Sequence, residues 1–372
     1  MEPMTRERVF QTRNAIVNNC KLLLFGMDKY LIQLANGQFN WISYFDKITG
    51  TLLLGQAHHL LFGGTGVGKT AMMTGLTLSL EAKYSRIQGT EEVSAADILG
   101  AHSLLQVPSG ERKIVYIPGD ITSHIVFVDE SSRLRPKAIN ALLEGMEERS
   151  FTPINKNISF ANDTKYMEAL PLFPLSGDLK DLTGPRHFSV FLTQNPFEEE
   201  QGVYPTPQAL WDRVTTCMEL ERPSLEDEMR ISSKALVGKK ISPVTNLYEI
   251  RAEAEFIYNT VSFREDSPAW MYKNMIIRNT DPNPNVEKSS ARLAKYIEER
   301  IQMTKGASPR VQFHLESAAR VEAFFAGDDI VKPEHVKAVA PMVIPHRLKT
   351  KRHKDDARKI FAEVLEQTPI KW

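Results

Sequence analysis

Cysteine is nearly absent: the 372 residues hold two, Cys20 and Cys217. They stand far apart and fit no CxxC or zinc spacing, which excludes a disulfide framework and points to buried thiols in a reducing compartment. Net charge is missing too, with 46 basic against 46 acidic side chains. No overall field therefore draws the chain to nucleic acid or an anionic membrane, and any such affinity would be local. The charged start Met1-Glu2-Pro3-Met4-Thr5-Arg6-Glu7-Arg8 has no apolar stretch behind it. That argues against a signal peptide or a membrane anchor and leaves the cytoplasm as the expected compartment. Repeats and low-complexity tracts are also lacking. What is present, 42% hydrophobic and 25% charged residues, supports a full core and a division into two domains.

Helical segments alternate with short apolar runs, which predicts a parallel sheet covered by helices. The candidate strands are His58–Phe62, Tyr84–Gln88, His124–Val128, Phe188–Thr193 and Val214–Leu220, each running into a polar or Gly/Pro turn. Past Arg222-Pro223 the β-branched runs stop, and Ser289–Met303, Val311–Ala326 and Lys332–Val343 take helical spacing instead. The expected division is therefore an α/β core over 1–222, including N-terminal helices, and a helical domain over 223–372. Asn155–Pro185 and Ser262–Val286 read as insertions.

Gly63-Gly64-Thr65-Gly66-Val67-Gly68-Lys69-Thr70 satisfies GxxxxGK[ST] between an apolar strand and the helix-prone Ala71–Leu80. Glycines let the backbone curl so that successive N–H groups and a helix N-terminus face phosphates. Lys69 would reach the β- and γ-phosphates, and the Thr70 hydroxyl suits Mg²⁺, a cation that prefers hard oxygen ligands. Downstream, Ile125-Val126-Phe127-Val128-Asp129-Glu130 is a buried-strand pattern ending in two acids, a Walker B arrangement. Asp129 would hold the Mg²⁺ shell and Glu130 would polarise an attacking water, so the pair implies hydrolysis of ATP beyond its binding. A third strand ends at Asn195-Pro196, where the amide would touch the γ-phosphate or the water. Trp211-Asp212-Arg213-Val214 and Gly306-Ala307-Ser308-Pro309-Arg310 each place an arginine at an element boundary.

Together these residues resemble the MoxR family of AAA+ ATPases, from about Phe25-Gly26-Met27-Asp28 to His346-Arg347-Leu348. The specific stretches include Asp129–Lys137, Leu142–Arg149, Thr193–Pro196 followed by Gly202–Pro205, and Gly306–Arg310. The resemblance implies an AAA+ core with a five-stranded parallel sheet, a C-terminal helical lid, and a ring of copies, usually six, with ATP between neighbours. It further implies that Asn195 is sensor 1, Arg213 an arginine finger offered to a neighbour, and Arg310 sensor 2, acting in its own subunit or across the interface. Arg133 and Arg149 are weaker candidates for interface contacts. Residues Leu104–Ile121 read as a hairpin, which in such proteins faces the ring's pore. Three stretches depart from the family pattern, Gln38–Gly50, Asn155–Pro185 and Ser262–Val286.

His58-His59 has no third ligand in reach and reads as packing. The basic run Arg347–Lys354 reads as a solvated face that could touch nucleic acid. Two functions follow: a ring-forming remodeller of a partner protein, which in relatives is often a von Willebrand A domain protein, and alternatively a nucleic-acid-translocating motor.

Overall fold

The computed structural model describes residues 3–24, 26–46, 51–106, 112–152, 170–171, 187–196, 203–233, 241–302, 306–352 and 356–370. Its centre is a five-stranded sheet of β1 (His59–Gly63), β2 (Tyr84–Gln88), β3 (Ile125–Asp129), β4 (Ser189–Gln194) and β5 (Thr216–Leu220), in the order β5-β1-β4-β3-β2. All pairings are parallel. Burial explains the order: every residue of β3 and β4 is buried, as continuous apolar runs require in the middle of a two-sided sheet, whereas edge strand β2 buries Ile87 alone. The observed strands lie within two residues of the expected ones. In register, Phe191 faces His59 and Thr216 faces the same residue from the other side, so the carboxyl ends of β1, β3, β4 and β5 emerge along one rim. Open parallel sheets bind ligands at that rim.

Helices cover both faces. On one, Lys69–Ser79 buries Met72, Met73 and Leu76 beneath the N-terminal helices Arg6–Cys20 and Asp28–Gly37. On the other, Pro136–Glu148 buries Ile139, Leu142 and Met146 against Val126, Val128 and Leu192. The C-terminal part is helical, built on Leu247–Thr260, Pro268–Asn279, Ala291–Arg300, Val311–Ala326, Pro333–Val343 and Ala357–Glu366. Side chains of Asn246, Ser267, Ser290 and Asp356 accept the free N–H groups at four of their starts. One hydrophobic cluster runs from Leu61 and Met72 through the N-terminal helices to Leu315, Phe324, Val336 and Phe361. The lid thus shares its core with one face of the sheet.

Two of the stretches expected to depart from the family pattern hold regular structure. Ser262–Val286 contains a central lid helix, Pro268–Asn279, with Ala269, Tyr272 and Ile276 buried. Residues 38–46 include buried Gln38 and Phe39 and then the first strand of a hairpin, Trp41–Asp46 with Thr51–Gln56, that feeds β1. Asn155–Pro185 lies outside the described residues except Leu170–Pro171, which pairs with Ser150–Phe151. The hairpin expected near Leu104–Ile121 forms from Ala101–Gln106 and Arg112–Ile117, its tip lying outside the described residues. Among the described residues, no helix is long and apolar enough to cross a membrane.

Candidate functional site

The rim between β1 and β4 gathers five of the residues read from sequence. After β1 the chain turns through Gly66 (φ 80°) and Gly68 (φ 92°), left-handed conformations open to glycine. A Cβ on Gly68 would also lie 2.8 Å from Leu24. The Lys69–Ser79 helix starts there, with its free N–H groups and positive dipole end at the loop. The Lys69 ammonium donates to the carbonyls of Gly63 (2.8 Å) and Gly64 (2.7 Å) and to Asn195 Oδ1 (2.8 Å). Burial pulls its pKa below the ordinary lysine range, against the raising effect of Asp129 and Glu130. The loop, β3 and the end of β4 thus meet at one ammonium group.

Asp129 is the second convergence. Its carboxylate accepts from Thr70 Oγ1 (3.2 and 3.1 Å), from Thr193 Oγ1 (2.7 Å) and from Arg86 Nη2 (2.6 Å). The Thr70 hydroxyl and the carboxylate are hard oxygens about 3 Å apart, which fits one edge of an octahedral Mg²⁺ shell with ligands at about 2.1 Å. Among the described residues no group of three or more His, Cys, Asp or Glu side chains could hold a metal ion. The donor set is that of an ion completed by water and phosphate.

Glu130 sits just past the strand in a left-handed conformation (φ 55°, ψ 52°), unusual for a side-chain-bearing residue and strained. Two contacts hold it: its N–H donates to Thr193 Oγ1 at 2.9 Å, and its carboxylate pairs with Arg133 at 2.9 Å. Gly89, following β2, makes room for the bend, since a Cβ there would lie 2.1 Å from the Glu130 carbonyl. Thr193 and Arg86 are functional candidates that sequence reasoning passed over, since each reads as one residue of a candidate strand.

Beside the loop lies a cavity of about 560 Å³, lined by Leu24, Met27 and Leu31 with Lys21 and Asp227 among its polar groups. Leu24 touches both this cavity and the Gly68 position. A recess next to a phosphate loop, with apolar walls at Leu24, Met27 and Leu31 and polar groups among its lining, suits a flat heterocycle that also carries hydrogen-bonding groups.

Arg213 and Arg310 are elsewhere. β5 pairs with β1 from Thr216↔His59 to Leu220↔Gly63, so Arg213 precedes the amino end of β5 while Lys69 follows the carboxyl end of β1. Four residue steps of about 3.3 Å put at least ~13 Å of sheet between the two ends. Arg213 Nε lies 3.4 Å from Glu147 Oε2, and Arg310 Nη2 lies 2.8 Å from Oε1 of the same carboxylate. Burial lowers the Arg213 pKa, with Glu147 opposing. Sequence reasoning passed over Glu147 as well.

Other expectations change. Arg149 is buried, donates to the Phe188 carbonyl and lies over that ring, so it serves the core and not an interface. Arg347, placed in a solvated basic face, is 1% exposed. His58 accepts the Val190 N–H at Nδ1 (2.9 Å) and meets the Met146 carbonyl through Nε2 (3.1 Å). Burial and Arg149 hold its pKa well below the usual value. His59 stacks on Phe191 and meets Thr216 at 2.8 Å.

Residues 58–216 match the model of the ATPase family associated with various cellular activities (AAA), and residues 296–367 match that of the AAA lid domain. The chain is similar to the uncharacterised protein YeaC of Bacillus subtilis, 31% identical over 299 residues covering 80% of this chain and 78% of the relative. It is 29% identical to Chaperone MoxR1 of Mycobacterium tuberculosis, over 80% and 68% of the two chains, and 26% identical to protein MoxR of Methylorubrum extorquens, over 80% of each. Its fold is that of a candidate ATPase from Cytophaga hutchinsonii, with a TM-score of 0.70, 24% identity and coverage of 98% and 97%.

Proposed function

The chain belongs to the MoxR family of AAA+ ATPases, and on that premise we propose that it hydrolyses Mg²⁺-bound ATP at the interfaces of a homo-oligomeric ring to remodel a partner protein. The observation that carries this reading is the separation of Lys69, Thr70, Asp129, Glu130 and Asn195 at one end of the sheet from Arg213 and Arg310 at the other. A subunit so built holds an incomplete site at each of two ends.

In this reading the loop N–H groups of Gly63–Thr70 bind the phosphates, and Lys69 exchanges the Gly63 and Gly64 carbonyls for β- and γ-oxygens. Mg²⁺, held by Thr70 and Asp129, would neutralise charge on the phosphates. Glu130 takes a proton from the attacking water, and Asn195, beside Lys69, orients it. Arg213 of the adjacent copy meets the charge that develops on the transferred phosphoryl group. Arg310 is tied to the same Glu147 as Arg213 and so belongs to the same end, acting across the interface. The recess at Leu24, Met27 and Leu31 receives the base.

Six copies is the ring size typical of relatives, and one relative is named a chaperone. A protein partner, such as one of the von Willebrand A domain class common among such ATPases, fits the neutral overall charge. The nucleic-acid alternative draws on Arg112 and Lys113 of the hairpin together with the basic run, and burial of Arg347 takes one cation from that run. The test uses two variants. Arg213→Ala should bind ATP normally and lose roughly 10³-fold in kcat; loss of binding instead would place Arg213 in its own subunit's pocket. Glu130→Gln with ATP should co-purify a protein, and recovery of DNA alone would favour the motor.

A further inference from the structure

The lid sends one cation into the core at a point the catalytic assignments do not use. Arg347, in the short turn Pro345–Arg347 that follows the helix Pro333–Val343, is 1% exposed. Among the described residues no carboxylate forms an ion pair with it. Its Nη2 donates to the carbonyls of Val214 (2.5 Å) and Asp212 (3.5 Å), and its Nη1 donates to the Val343 carbonyl. Gln208 Nε2 returns a hydrogen bond to the Arg347 carbonyl at 3.2 Å. Residues 212 and 214 flank Arg213, and Gln208 opens the short helix Gln208–Arg213 that ends on it.

A buried arginine that forms no ion pair is a costly core residue, and an apolar side chain of similar volume would fill the space at lower cost. Burial lowers its pKa to about 9, with Asp212 opposing. What the guanidinium supplies, and an apolar side chain cannot, is a rigid fork of donors. One arm of that fork, Nη2, reaches the carbonyls on either side of Arg213, where His346 Nε2 also meets the Val214 carbonyl at 3.1 Å, and the other arm, Nη1, reaches the lid carbonyl of Val343. The Arg213 side chain is in turn held by Glu147, which also binds Arg310 of the lid. Both the backbone and the side chain of Arg213 are therefore fixed by groups connected to the lid.

We propose that Arg347 is a positioning residue for the arginine finger, setting the direction of Arg213 from the lid and so coupling lid position to hydrolysis in the neighbouring subunit. This rests on the reading of Arg213 as a finger used in trans. A residue that merely stabilised the lid would affect the subunit that carries it. A finger-positioning residue affects the neighbour.

The experiment compares Arg347→Met and Arg213→Ala, each alone and mixed with Glu130→Gln subunits before assembly. Arg347→Met should keep the KM for ATP within about twofold while kcat falls about 10–100-fold, the scale of a misplaced catalytic group. In the mixture, Arg347→Met subunits keep intact loops and receive correctly held fingers from Glu130→Gln neighbours. ATPase activity should therefore exceed the sum of the two variants measured apart, and Arg213→Ala should be rescued likewise. Rescue of Arg213→Ala but not of Arg347→Met overturns this inference and leaves the finger standing. Failure of both overturns the finger reading, and this one with it. Should Arg347→Met not fold, Arg347→Lys takes its place: a single ammonium lacks the two amino groups that join the Val214 carbonyl to that of Val343 in the lid, so the same pattern of lost kcat and rescue is expected, and wild-type kcat would overturn the proposal.

Discussion

Thr193 is a residue whose role depends on two strands at once. Its hydroxyl donates to Asp129 and accepts from the Glu130 N–H, so a single oxygen aligns both acids of the Walker B strand. Thr193→Val removes the donor and the acceptor together while keeping the shape. Leaving the Glu130 N–H unpaired costs about 1–3 kcal/mol, and a loss of that size at the barrier is roughly 10–100-fold in rate. Steady-state hydrolysis with separate nucleotide-binding titration should therefore show kcat reduced by about this factor, unchanged ATP affinity, and near-complete recovery in Thr193→Ser. Weakened ATP binding with intact kcat would remove Thr193 from the positioning of Glu130. Contiguity decided what could be read from sequence at this scale. Gly63–Thr70 and Asp129-Glu130 carry their chemistry within a few residues of one segment. Thr193, Arg86 and Glu147 acquire theirs only when β4, β2 and the Pro136–Glu148 helix are brought beside other elements, and no spacing rule reports that.

Elements were legible to the extent that their hydrophobic period was regular. Val311–Ala326 has the bounds its spacing predicts, closed by Gly327 in the left-handed region. Tyr84–Gln88 has the expected bounds, and the other four strands differ by one or two residues because an apolar run need not coincide with the hydrogen-bonded ladder. The helix Pro268–Asn279 is not legible in the sequence because Pro268 and the later Asn-Pro turns dominate the segment. Yet Ser267 accepting from Trp270 N–H, with proline in the first turn, is a helix start. A second element shows a cost invisible in sequence. Glu253, on Leu247–Thr260, is buried against the Arg6–Cys20 helix with a hydrogen bond from Thr12, and burial raises its pKa to about 7, with Arg8 opposing and Glu249 adding to the rise. The folded state then holds a proton that the unfolded chain releases near pH 4.3. By linkage, this group's contribution to stability falls as pH rises from about 4.3 to 7 and stays low above it, a loss of about 3 kcal/mol at pH 8 relative to acid pH. Thermal melts of wild type and Glu253→Met at pH 5 and pH 8 should show the variant gaining relative to wild type at the higher pH. Parallel changes in both proteins would mean that Glu253 is ionised in the fold.

At the scale of the whole molecule, order along the chain was informative where geometry was not. The sequence of loop, acid pair, asparagine and two arginines pointed to a AAA+ core and lid, and the sheet order β5-β1-β4-β3-β2 is the arrangement found. Whether Arg310 serves its own nucleotide was illegible, because that depends on how the lid sits on the core. The shared carboxylate supports the proposed action in trans. Glu147 binds Arg213 and Arg310 together at the amino end of the strands, at least ~13 Å of sheet from Lys69. A sensor acting in cis would have to leave Glu147 and cross that distance, whereas one acting in trans needs only to exchange a carboxylate for a neighbour's phosphate. Arg310→Ala should consequently lower kcat, leave ATP binding by isolated subunits unchanged, and abolish the rise of specific activity with protein concentration that an interface-built site requires. The comparison that decides is nucleotide affinity measured below the assembly concentration: if Arg310→Ala weakens ATP binding there, Arg310 reads the nucleotide of its own subunit and the two-ended arrangement fails for this residue.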